Sequence, residues 1–166
     1  DEDKFSVENT MRHQLGSPYQ GYNKAIAMKI QLEHNHPQLM VDFKPERFEE
    51  KKLDEYSLEE YDLIIVTTGG TDFLLRLNRQ FKNLKLDTTV IYTWIEPNGV
   101  GVHALPIDYG KQGCFECLYT GGEKNKAHYG NRNSDITIIG TGCGGVFNSY
   151  GNLTLLKGSA MVIELV

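Results

Sequence analysis

Residues Tyr61–Thr68, YDLIIVTT, decide the fold. A continuous β-branched run bounded by Gly69-Gly70 suits a strand buried on both faces of a parallel sheet. Working outward, Phe73, Leu74, Leu77 and Phe81 recur at helical spacing and mark the buried side of a helix. Thr71 or Asp72 is placed to cap it. Thr88–Ile95, rich in Val, Ile, Tyr and Trp, reads as the next strand. The Pro97-Asn98-Gly99 turn then returns Val100–Ile107 as its partner.

Upstream, Ser17–His36 is predicted as a helix. Pro18 suits its first turn, and Ala25, Met28 and Leu32, with Ile26 and Ile30, form its apolar stripe. Pro37 ends it. Met40–Phe43 reads as a short strand. Phe48–Tyr61, charged and poor in apolar residues, reads as a loop with a short, solvated surface helix. Downstream, Gly110–Asn133 is a loop, and Ile136–Ile139 is a short strand or an extended segment. A final helix is predicted from Gly144 onward, with Val146, Tyr150, Leu153 and Ala160 near one face. Gly151 and Gly158 weaken it by about 1 kcal/mol each relative to alanine. Helices alternating with strands predict an open α/β sheet of nucleotide-binding type in a single domain spanning 1–166.

The 166 residues suffice for one sizeable core, and their 40% hydrophobic and 23% charged content is that of a globular protein. A net charge of −5 speaks against a general nucleic-acid binder. No apolar run is long enough to span a bilayer, so no membrane association is expected. Three cysteines are too few for a disulfide scaffold, which favours a reducing, cytoplasmic setting.

The chain opens on DEDKFSVENTMRHQLGSPYQGYNK, where Asp1, Asn9, Arg12 and Lys24 recur at intervals that serve neither a helix nor a strand. The set suits a loop that holds a polyanion: a carboxylate for ribose hydroxyls, an amide, and two cations for phosphates. Arg offers a bidentate fork to phosphate oxygens and Lys a point charge. D-x7-N-x2-R followed by G-x2-K resembles the ThiF/MoeB/HesA family of ubiquitin-activating-type adenylating enzymes. A second stretch is similar to that family: Thr89–Tyr119 gives a strand, an E-P-x-G-V-G-x-H turn and return, then G-C-x-x-C-L. The closest look is to bacterial multidomain ThiF proteins.

The resemblance implies a Rossmann-like open sheet, mostly parallel with an antiparallel hairpin, truncated before Asp1 where the glycine-rich strand–helix unit would stand. It implies that Asp1 binds ribose and that Asn9, Arg12 and Lys24 contact the phosphates of ATP with Mg2+. His13 follows Arg12 where glutamine is common and is placed to flank the phosphates. Gly69-Gly70 stands where the family usually carries a magnesium-binding acid, and Asp72 is the nearest substitute. Cys143, in TGCGGVFNSYG, matches the position of the nucleophilic cysteine of several members. A helix N-terminus there would favour its thiolate. The other reading of Cys143 is a small residue in a tight turn.

Cys114 and Cys117 form a lone CxxC. Family members use two such pairs to hold structural Zn2+. Here the second pair is missing, and His128 would complete a site only if its loop folds back. Two semi-buried thiols are the simpler reading, and a redox pair lacks a thioredoxin-like context. His103 reads as a satisfied polar residue of the sheet.

The activity implied is ATP-dependent adenylation of the C-terminal carboxylate of a ubiquitin-like or other small protein, followed by a thioester on Cys143. A homodimer and a fused or separate conjugating-enzyme-like domain are the partners implied. Two other classes stand beside it: a non-catalytic dimerisation or docking module, and a dinucleotide-dependent oxidoreductase with Asp1 as its ribose-binding acid. Arg12 and Lys24 have no role in hydride transfer.

Overall fold

The computed structural model describes residues 2–11, 13–48, 53, 55–68, 70–120, 138–140, 146–148 and 151–166. The chain divides into two compact units, Asp1–Glu49 with Thr141–Gly145, and Glu50–Gly140 with Val146–Val166.

The first unit is a closed loop on one helix. The Phe5 N–H donates to the Tyr22 carbonyl and the Gly21 N–H to the Phe5 carbonyl, both at 2.8 Å, and the Lys24 N–H donates to the Asp3 carbonyl at 2.9 Å. This antiparallel clamp joins the two ends of the segment 6–20, which contains short 3-10 turns at Val7–Asn9 and Ser17–Tyr19. Helix α1 spans Lys24–Asn35. It does not begin at Ser17 as predicted. Gly21 adopts a left-handed φ of 86°, which breaks any helix, and Asn23 supplies a true cap by accepting from the N–H groups of Ala25 and Ile26. Phe5, Leu15 and Ala27 are the buried apolar residues, with Tyr19 and Met28 packed against them. Burial therefore centres on Ala27, and Ile30 of the predicted stripe is exposed. Asn23→Ala is expected to cost about 1 kcal/mol, read as faster amide exchange confined to the first turn of α1.

The predicted strand at Met40–Phe43 is absent. Those residues pair with no strand among the described residues, and Met40 is 97% exposed. Lys29 and Glu33, one turn apart on α1, hold this stretch instead: Glu33 accepts from the Val41 N–H at 3.0 Å, and Lys29 donates to the Val41 carbonyl.

The second unit carries the sheet. Strands β1 (Leu63–Val66), β2 (Thr89–Ile95) and β3 (Val102–Ile107) lie in the order β1-β2-β3. β1 and β2 are parallel, joined through helix α2 (Thr71–Leu84), while β2 and β3 form an antiparallel hairpin with Ile95 opposite Val102. Among the described residues the sheet is mixed, with one parallel pair and the antiparallel hairpin that was expected beside a mostly parallel sheet. A second, two-stranded antiparallel sheet pairs β4 (Ile138–Gly140) with β5 (Val146–Asn148). β5 corrects the helix predicted from Gly144. Helix α3 begins only at Asn152 and runs to Leu165, with Gly151 as its N-cap.

β1 is covered less completely than its sequence suggests. Ile64 and Val66 join the core, whereas Ile65, on the opposite face, is 46% exposed. Helix α3 packs on β2 and β3, and Gly158 lies so near Val102 that a Cβ there would meet its Cγ1 at 3.0 Å. Leu153 and Ala160, assigned to the packed side, are exposed. Leu155, Gly158 and Val162 face the sheet across an apolar cleft of about 480 Å3 that Ile65 and Trp94 also line.

The core proper gathers Leu74, Leu77 and Phe81 of α2, Val90 and Tyr92 of β2, and Phe115. Leu53 and Leu58 are also buried in it, so the 48–61 stretch is not merely solvated, and it includes a 3-10 segment at Leu58–Glu60. The buried Thr88 hydroxyl donates to the Tyr61 carbonyl at 3.0 Å and so anchors the start of β2. The cap of α2 is Gly70, with no side-chain bond, so neither Thr71 nor Asp72 plays that part. No helix among the described residues is long and apolar enough to cross a membrane.

Candidate functional site

The opening loop is the first candidate. Asn9 is buried at 4% exposure, and its Oδ1 accepts from the Ser6 N–H at 3.0 Å and the Ser6 hydroxyl at 3.3 Å. Its amide thus holds the first turn of the loop. Lys24 is the first residue of α1, and its ammonium pairs with Asp3 at 3.2 Å. The clamp that closes the loop brings this cation beside Asp3, with Asn9 inside the same loop. His13 accepts the Leu15 N–H on Nδ1 at 3.1 Å and packs edge-on against Phe5, with ring centres 5.2 Å apart. Asp1, Arg12 and Cys143 lie outside the described residues, as does His128.

Cys114 and Cys117 are the second candidate. Gly113, at a φ of 106° open to glycine, turns the chain into the 3-10 segment Phe115–Leu118. The Cys117 N–H donates to the Cys114 carbonyl at 3.0 Å, and the turn sets the sulfurs 3.6 Å apart. Cys114 is buried and Cys117 exposed. Arg79 of α2 donates from Nε to Glu116 at 3.1 Å, tying this turn to the helix, and holds the Glu116 carboxyl below its usual range. For a structural Zn2+ the pair would supply two thiolates. No group of three His, Cys, Asp or Glu arranged to hold a metal occurs among the described residues.

Asn78 was not singled out from sequence, yet it organises this region. It is fully buried, and its Oδ1 accepts from the Phe115 N–H and the Tyr109 hydroxyl, each at 3.0 Å. The Tyr109 hydroxyl lies 2.7 Å from that of Tyr92. Burial, and then the bond to Tyr109, push the Tyr92 hydroxyl far above its usual range, so it stays neutral. The signal was present: Asn78 falls on the stripe of Leu74, Leu77 and Phe81. A polar residue on an apolar face needs partners. Asn78→Ala would orphan the buried Phe115 N–H at about 1–3 kcal/mol and take the acceptor from the Tyr109 hydroxyl, and chemical unfolding should show a loss of that order.

At the carboxyl end of β2, Glu96 Oε1 meets His103 Nε2 at 3.2 Å, and the His103 ring stacks on Trp94 with centres 4.6 Å apart. The His103 ring is thus held within the hairpin between Trp94 and Glu96. Asp72 is exposed in the first turn of α2.

No protein-family model matches the chain. A search of curated proteins likewise finds no match.

Proposed function

We propose that this chain belongs to an adenylating domain of the ThiF/MoeB/HesA type, which binds ATP with Mg2+ and activates the C-terminal carboxylate of a small, ubiquitin-like protein. The observation that carries the reading is the antiparallel clamp from Asp3–Phe5 to Gly21–Lys24, which gathers the segment bearing Asn9 and Arg12 into one loop ending at a cation. The parallel β1–α2–β2 unit supports a Rossmann-like sheet, since it is the building block of such folds.

In the proposed reaction a carboxylate oxygen of the small protein attacks the α-phosphorus, the bond to the β-phosphate oxygen breaks, and pyrophosphate leaves. Arg12 and Lys24 offset the negative charge gathering on the phosphates. Asn9 spends its Oδ1 on Ser6, which orients the side chain and leaves the Nδ2 amide as the group that would donate to a phosphate oxygen. The Cys143 thiolate then attacks the acyl carbon and AMP departs, leaving a thioester.

A docking module is the second reading, favoured by the fact that Asn9 and Lys24 already have partners within the loop. ATP–pyrophosphate exchange, run on the full-length protein with glycine-ended tail peptides, separates the two. Exchange that depends on the tail supports adenylation. Absence of both exchange and ATP binding leaves the docking module.

A further inference from the structure

We propose that Cys114 and Cys117 form a thiol–disulfide exchange site that closes to a disulfide at the expense of a low-molecular-weight disulfide such as oxidised glutathione. Three observations converge on it. The sulfurs lie 3.6 Å apart across a single 3-10 turn, so side-chain rotation needs to close only the distance to a bond of about 2.05 Å. One thiol is exposed and the other buried, which divides the work between an attacking and a resolving sulfur. Both line a cleft of about 340 Å3, shared with Pro106, Lys111 and Leu118, that opens a path to them.

Asn78 supplies the fourth element. With Oδ1 fixed by the Phe115 N–H and the Tyr109 hydroxyl, the amide cannot turn over. Its Nδ2 is buried and makes no close hydrogen bond among the described residues. Burial pushes the Cys114 thiol up, but the Asn78 amide, the Cys117 thiol and the N–H groups of Cys117 and Glu116 outweigh it and hold the thiol below its ordinary value.

The step balances. The Cys117 thiolate attacks one sulfur of the external disulfide and expels a thiolate, leaving a mixed disulfide. Cys114 Sγ then attacks the Cys117 sulfur and expels the second thiolate. Two protein thiols are oxidised, one external disulfide is reduced, and the two protons pass to the departing thiolates.

The full-length protein, with its zinc content measured, is treated with oxidised glutathione, quenched in acid, alkylated and digested with trypsin. Cleavage after Lys111 and Lys124 places both cysteines on one peptide, apart from Cys143. The expected result is loss of both alkylatable thiols on that peptide, restored by dithiothreitol. In Cys114→Ser, glutathione should remain on Cys117. Two alkylated thiols after oxidation would overturn the proposal. So would a bond from either cysteine to Cys143, or stoichiometric zinc that protects both sulfurs.

Discussion

Arg12→Ala should lower tail-dependent ATP–pyrophosphate exchange by about 100- to 1000-fold, the scale of losing one preorganised charge donor at a reacting centre. The expectation follows from chemistry more than from position. A guanidinium presents a planar fork that two phosphate oxygens can share, and no neighbouring side chain in the loop offers the same geometry. Lys24, the other cation of the set, is partly neutralised by Asp3 and acts as a point charge, so it cannot replace the fork. Cys143→Ala should leave exchange intact, because exchange stops at the adenylate, while removing any thioester cleaved by reductant. Retained exchange in Arg12→Ala would take Arg12 out of the phosphate site. A thioester that survives Cys143→Ala would move the nucleophile to another cysteine.

Phe115→Ala should destabilise the second unit by about 3–5 kcal/mol, the range for removing a buried aromatic ring. Phe115 is 0% exposed, stacks on Tyr92 with centres 4.8 Å apart, and meets Trp94 edge-on at 5.6 Å. Its backbone N–H is also the donor that fixes Asn78, so the cavity opens beside a polar network that cannot relax into it. Trp94 is the chain's one tryptophan, so its fluorescence in urea follows this unit alone and avoids averaging over the two. An unchanged midpoint would mean that the CxxC turn contributes nothing to the core.

The second unit was the more legible in sequence. In the Thr89–Ile107 hairpin, β-branched and aromatic strands flank a Pro-Asn-Gly turn, and local chemistry alone fixes the register. The stripe of α2 was equally plain. Elements whose stability comes from elsewhere were misread. Met40–Phe43 alternates like a strand but pairs with no strand among the described residues, and Lys29 and Glu33 hold its backbone instead. The predicted Ser17–His36 helix carries its apolar spacing from Ala25 to Leu32, and Gly21 and the Asn23 cap cut off the part before it by an effect that is conformational rather than apolar. The final helix starts late because Val146–Asn148 pairs with a strand eight residues earlier in sequence, a choice periodicity cannot see.

The candidate site was legible as residue types, while the intramolecular partners of those residues were not. Asn9 and Lys24 do share one closed loop, but Asn9 holds that loop and Lys24 enters it already paired. Asn78 shows the converse: its place on the apolar stripe of α2 signals a need for partners, but which partners they are, the Phe115 N–H and the Tyr109 hydroxyl, is decided outside the helix.

The most direct measurement is calorimetric titration of the full-length protein and its Lys24→Ala variant with ATP in the presence of Mg2+. The account predicts that the wild type binds and that the variant binds roughly ten- to a hundredfold more weakly, the worth of one hydrogen bond to a charged group at about 1.5–3 kcal/mol. Equal affinity in the two, or no binding by the wild type, would contradict it.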